Sequence, residues 1–279
     1  MFRLELLRNE GTSEPFVARM WLGVLELRNQ VLSLSEEDPE HRATEFDNLY
    51  SPVLDNLETT RTAAKKIRTL ISEHVMKVNS GKIVSLQHNC VTIHETITPD
   101  TRDSVAALLN AGVRAMKYMQ PLLGWSGLSI RHLFQKSGNY DLGTTRLRKA
   151  GRRDLAEYLD SVRAGWSESF LELRAAMQHR SWSLGKFHYT PPDQGISLVE
   201  PKIEGLDTSE YVRLTAARVI GFVEDLVVYS LGTKLPDGVV IVEVPAERRN
   251  PDRPTRFSVA EASGEPLPWV LEYNDQGFC

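Results

Sequence analysis

"DTSEYVRLTAARVIGFVEDLVVYSLG", residues 207–232, decides the class of this fold. Val212, Ala216, Val219, Val223, Leu226 and Val227 recur at three- and four-residue steps, which places them on one face of a helix. Asp207, Thr208 and Ser209 are candidate N-caps, because a short polar side chain there accepts from an N–H that the first turn leaves unpaired. Glu224 and Asp225 interrupt the apolar run, which is also too short to span a bilayer. The apolar face must therefore be buried against protein, and other helices are its natural partners.

The same periodicity extends toward the N-terminus. Thr12 and Ser13 are candidate caps, Pro15 suits a first helical turn, and Phe16, Met20, Val24, Leu27 and Val31 predict a helix over about 14–34. After the acidic "SEEDPE", a longer stretch carries Phe46, Leu49, Val53, Leu57, Ala64, Ile67, Leu70 and Ile71 to a stop at Gly81, with Pro52 either kinking it or marking its start. "KIVSLQHNCVTIHETI" is rich in Val, Ile and Thr, so residues 83–97 read as extended. Asp100 or Thr101 opens a further helix that Pro121 and "GWSG" should end, and a short helix is expected at 127–136. A polar, glycine-bearing link at 137–151 leads into a helical stretch over 152–185, which "YTPPDQG" ends, and "ISLVEPKI" reads as a short strand. "GVVIVEV", "RFSVAEA" and "WVLEY" read as strands of a small sheet. The expected architecture is mainly α: a multi-helix up-down bundle over 1–236, with the extended segment at 83–97, and a small antiparallel β tail over 237–279.

Composition narrows the partners. With 279 residues, 41% of them hydrophobic, the chain can bury a real core without staples. A net charge of -4 and a pI near 6.0 exclude a surface coated in positive charge, although a local basic cleft is compatible with both. The N-terminal "MFRLELLRNEGTSE" lacks the apolar core of a secretory signal, and Cys90 and Cys279 are too few and too far apart for a disulfide framework. A soluble cytoplasmic protein with no membrane partner is the expectation. No phosphate-cradling glycine loop, H-E-x-x-H or complete G-x-S-x-G is present.

The chemistry concentrates in "ELRAAMQHRSW", residues 172–182. On a wheel of about 100° per residue starting at Trp166, Phe170, Leu173, Met177 and Leu184 form one apolar stripe, and Leu171, Ala175 and Trp182 lie opposite. Such a helix is expected to be buried on two sides, one of them against a second subunit. Arg174 and His179 leave an ideal helix about 140° apart, so they converge only if a two-fold partner adds its copy or the helix breaks near His179.

"LELRAAMQH" resembles the signature of the HEPN superfamily of helical-bundle proteins, an Arg followed after four to six residues by a His. The resemblance implies a homodimer whose paired motifs build a metal-independent endoribonuclease site without a cofactor, of the kind used in antiviral defence and toxin-antitoxin systems. RNA brings its own nucleophile, the 2'-hydroxyl. His179 would exchange the proton, and Arg174 would hold the phosphate and stabilise the charge of the transition state. Ala175 follows the Arg where family members commonly carry a polar residue. It favours the rival reading, a non-catalytic helical dimer acting as scaffold or regulatory subunit.

Between 131 and 189 eleven Lys and Arg residues stand against six Asp and Glu, in a chain that is acidic overall. Arg152, Arg153, Arg180 and Lys186 are the expected RNA contacts, and a protein regulator is a further possible partner. An alternative is a metal held by His88, Cys90 and His94, which share a face if "HNCVTIH" is one strand. "AERRNPDRPTRF" offers Arg248, Arg249, Arg253 and Arg256 to an acidic partner, or forms an exposed turn between strands.

Overall fold

The structure, a computed structural model, describes residues 13–35, 38–87, 90–128, 130, 133–134, 137–179, 181–190 and 196–263. The carboxylate of Glu14 starts the first helix by accepting from the N–H groups of Phe16, at 2.7 Å, and Val17; of the expected caps, Thr12 lies outside the described residues. The chain winds as a π-helix over Val17–Gly23 and tightens into α1, Val24–Ser35. α2 runs unbroken over Pro39–Asn79. Pro52 neither starts nor stops it, because Phe46, Tyr50, Val53 and Leu57 on either side are fully buried and hold the helical path through the missing hydrogen bond.

α3 spans Thr98–Trp125, one turn beyond the Pro121 expected to end it. Leu122 and Leu123 are fully buried in that extra turn, and the stop comes at Gly127. Its φ of 84° lets the chain reverse, with the N–H of Leu128 donating to the carbonyl of Leu123 at 2.8 Å. The described residues from 127 to 134 are not helical, so the short helix expected at 127–136 is not formed there. Instead α4 occupies Ser137–Lys149, where a polar link was expected. Tyr140, Thr144 and Leu147 form its buried stripe; with a threonine in the middle and few other apolar residues, the stripe does not register as hydrophobic periodicity.

α5, Arg153–Val162, passes through a π-wound turn, Arg163–Ser167, into α6, Glu168–Gln178. α7, Thr208–Gly232, is the helix predicted from its spacing, with Val212, Val219, Val223, Leu226 and Val227 all fully buried. Its cap is a long-range one: the Glu200 carboxylate accepts from the N–H of Ser209 at 2.7 Å and from its hydroxyl at 2.9 Å.

The strands pair as antiparallel two-stranded sheets. The stretch expected to be extended over 83–97 is a hairpin of β1, Val84–Gln87, and β2, Cys90–Ile93. β3, His188–Thr190, pairs with β4, Ser197–Val199, and β5, Lys202–Ile203, with β6, Leu206–Asp207. The C-terminal element is β7, Val239–Glu243, against β8, Phe257–Glu261, in the register Ile241 opposite Val259. The third expected strand, "WVLEY", lies outside the described residues. The molecule is therefore mainly α with a small antiparallel C-terminal β element. Among the described residues no helix is long and apolar enough to cross a membrane.

By its contacts the chain divides into two compact units. The first comprises 1–54, 118–155 and 222–279, and the second 55–117 and 156–221. In the first, Phe46 packs on Tyr50 and edge-on to Trp125, with both ring centroids 5.5 Å away, and the Tyr50 hydroxyl donates to the carbonyl of Met20 at 2.8 Å. A buried carboxylate ties this unit together. Glu224 on α7 accepts from Arg19 of the π-helix, Nε at 3.0 Å, and from Arg256 beside β8 at 3.2 Å. Arg256 also binds Asp225 and Glu243, and Arg249 donates to the carbonyl of Val244. Two of the arginines expected to face an acidic partner are thus committed within the chain.

Candidate functional site

α6 is seated on α3 by two contacts one turn apart. Phe170, fully buried, lies against Gly112: a Cβ there would stand 2.9 Å from its Cζ and 3.4 Å from Cγ2 of Val219 on α7. Arg174 follows on the same side of α6. Its Nε donates to Oδ1 of Asn110 on α3 at 3.1 Å, and its Nη1 donates to Oε1 of Gln178 on its own helix. Two donors held at separate points orient the planar guanidinium and leave the rest of its five N–H groups for an anion. The side chain is half-buried, so that anion would be bound in part out of water.

His179 stands where the helix ends. Its φ of -87° and ψ of 9° leave the α region, and its N–H still donates to the carbonyl of Ala175 at 3.0 Å. The N–H and the hydroxyl of Ser181 both donate to the carbonyl of Ala176 at 2.9 Å, and this local competition for a helical acceptor turns the chain away. The helical stretch expected to reach 185 therefore stops at Gln178, and the imidazole projects from an exposed C-terminal turn.

The wheel shortens with it. Phe170 and Leu173 are buried and Met177 half-buried on the first stripe, but Trp182 and Leu184 lie beyond the helix, on the segment that leads to β3. On the opposite side Leu171 is half-buried and Ala175 exposed.

The expected RNA contacts are divided between the two units. Lys186 is exposed on the segment before β3, in the same unit as Arg174 and His179, and Arg180 lies outside the described residues. Arg152 and Arg153 belong to the other unit. Arg152 pairs with Asp154 at 3.4 Å. Partial burial works against ionisation of that carboxyl, yet the Arg152 contact and the N–H of Leu155 hold it below the usual carboxylate range. Arg163 pairs with Glu168 at 2.5 Å across the π turn, and that hydrogen bond lowers the Glu168 carboxyl.

Of the metal alternative, only His94 has a described side chain. A hairpin replaces the single strand that would have aligned its ligands, His88 lies outside the described residues, and Cys90 is described by its backbone alone. His94 is exposed, its Nε2 lying 2.8 Å from the hydroxyl of Ser85. Among the described residues no group of three or more His, Cys, Asp and Glu is placed to hold a metal ion.

One titratable cluster was not anticipated. His74 on α2 is buried, with Nε2 2.5 Å from the Tyr189 hydroxyl on β3 and Nδ1 3.9 Å from the Glu95 carboxylate. Lys77 donates to both oxygens of Glu95, at 2.6 and 2.9 Å. Burial holds the imidazole below its ordinary pKa, with Glu95 opposing and Lys77 adding to the shift. The available signal was position: His74 shares a helical stripe with Ile67, Ile71 and Val78, all buried, which requires a polar partner inside. Comparison of the chain with protein-family models, curated proteins and solved structures finds no match.

Proposed function

We propose that this protein is a HEPN-like, metal-independent endoribonuclease, with Arg174 and His179 forming half of a site that a second copy completes through the α6 region. The observation that carries the reading is the break of α6 at His179, which sets an exposed imidazole beyond the helix end while Arg174, five residues back, keeps N–H donors free on a guanidinium oriented by Asn110. In the reaction one His179 takes the proton of the 2'-hydroxyl as its oxygen attacks the adjacent phosphorus. The bond from phosphorus to the 5'-oxygen breaks, and that oxygen is protonated by an imidazolium, the second copy's His179 in the composite site. Arg174 neutralises the charge gathered on the non-bridging oxygens. Participation in defence or growth control belongs to this proposal.

The contacts of Arg174 with Asn110 and Gln178 also favour a second reading, in which the arginine only fastens α6 to α3 in a scaffold or regulatory dimer. Incubation of the purified protein with single-stranded RNA and a chelator, beside Arg174→Ala and His179→Ala, separates the two. Cleavage lost in both variants supports the nuclease. Intact RNA with wild type, with and without a suspected activator, or equal cutting by all three proteins, ends it; a wild type that is inactive yet dimeric supports the scaffold.

A further inference from the structure

The corner between α4 and α5 carries a set of cations that the fold does not use. α4 ends at Lys149, Gly151 turns the chain with a φ of 80°, and α5 begins at Arg153. The turn is closed by the N–H of Arg152 donating to the carbonyl of Leu147 at 2.9 Å, so the helix ends are fixed to each other. Arg146, Lys149 and Arg153 are exposed here, and none pairs with a carboxylate among the described residues. Several other arginines of this unit are committed: Arg19 to Glu224, Arg28 to Asp47, Arg42 to Glu45, and Arg256 to Glu224, Asp225 and Glu243. Leu142, an exposed apolar side chain, precedes Arg146 and Lys149 on the same stripe of α4.

Cations at a helix C-terminus ease the local dipole, but that effect fades beyond the last turn and needs only one of them. Three exposed cations without a carboxylate partner at one corner, in a chain of net charge -4, are complementary in charge to a run of phosphates. We infer that Arg146, Lys149 and Arg153 form a docking surface for the sugar-phosphate backbone of a single-stranded RNA. The corner grips phosphates without reading bases, and Leu142 offers an apolar contact to the strand. The choice of RNA over other polyanions rests on the nuclease reading; the corner itself does not.

The test uses a fluorescent 2'-O-methyl RNA of about twenty nucleotides, which lacks the nucleophile and so reports binding without cleavage. The full chain is compared with the triple variant Arg146→Gln, Lys149→Gln, Arg153→Gln, and with a control of equal charge change, Arg102→Gln, Lys202→Gln, Arg213→Gln, whose cations are exposed but paired. With three phosphate contacts, the slope of log affinity against log salt should flatten by about 2 in the corner variant, and its affinity at low salt should fall at least about tenfold. The control should stay within about twofold. Circular dichroism confirms that each variant is folded.

Absent binding by wild type, an unchanged slope in the corner variant, an equal loss in the control, or tighter binding of poly-glutamate than of RNA overturns the proposal. The nuclease reading is scored separately with unmodified RNA: binding that depends on the corner while RNA stays intact keeps the docking surface and removes the nuclease. Cleavage that ignores the corner does the reverse.

Discussion

Gly112→Ala tests how α6 is seated, because two opposing terms act at one atom. An alanine in a helix interior is worth about 1 kcal/mol more than a glycine, so on α3 alone the substitution should stabilise. The new Cβ, however, would stand 2.9 Å from Cζ and 3.7 Å from Cε1 of Phe170, and 3.4 Å from Cγ2 of Val219. Carbon pairs are at their best separation at about 3.5–4.0 Å, so the nearest contact is too close by more than half an ångström. Phe170 is 2% exposed and its ring cannot swing into solvent, so the strain falls on α6. Overpacking of this kind costs about 1–3 kcal/mol. Strain wins, and a net loss of about 1 kcal/mol is expected.

The same substitution in a Phe170→Leu background meets no ring edge and should be neutral or stabilising by up to about 1 kcal/mol, a coupling of about 1–2 kcal/mol between the sites. Urea unfolding of the four proteins, read at equal m-values, measures both numbers. If Gly112→Ala stabilises the wild type, or costs the same in both backgrounds, the account of how Phe170 packs on bare backbone is wrong. The outcome bears on function, since a displaced α6 also carries Arg174 away from Asn110.

Glu224→Ala should destabilise by about 2–3 kcal/mol, because it removes a buried acceptor from Arg19 and Arg256, which are themselves partly exposed, whereas Arg213→Ala at an exposed pair should cost under about 1 kcal/mol; chemical denaturation measures both. His74 makes stability depend on pH: its pKa in the fold lies below the ordinary 6.5, so the unfolded chain takes up the proton first. The His74 contribution is fully present above about pH 6.5 and is lost as pH falls through the lower folded value. Urea midpoints of wild type should therefore fall faster than those of His74→Gln between about pH 7 and pH 5, and parallel curves would remove His74 as the cause.

How far the site could be read from the chain depends on whether its partners are near in sequence. Arg174 and His179 stand out because the segment is short and its residue types are distinctive. Asn110, which orients Arg174, lies on another helix 64 positions away, and nothing in its surroundings marks it. The end of α6 is hidden from periodicity for a local reason: the apolar spacing continues through Trp182 and Leu184, and only the competition by Ser181 for a helical carbonyl shows that the helix has already stopped. α4 is hidden in the opposite sense, because its buried stripe includes Thr144 and so looks polar.

The mainly helical class, the course of α7, the extended character of β7 and β8 and the positions of the two motif residues are legible in the chain alone. These follow from periodicity and turn chemistry, which act over a few residues. Long-range packing is what keeps Pro52 and Pro121 inside helices, brings two distant arginines to Glu224, buries His74 beside Tyr189 and holds Arg174 on α3. Each of these balances a local cost, such as a missing N–H or a desolvated charge, against packing from residues far along the chain, and local pattern carries no record of that balance.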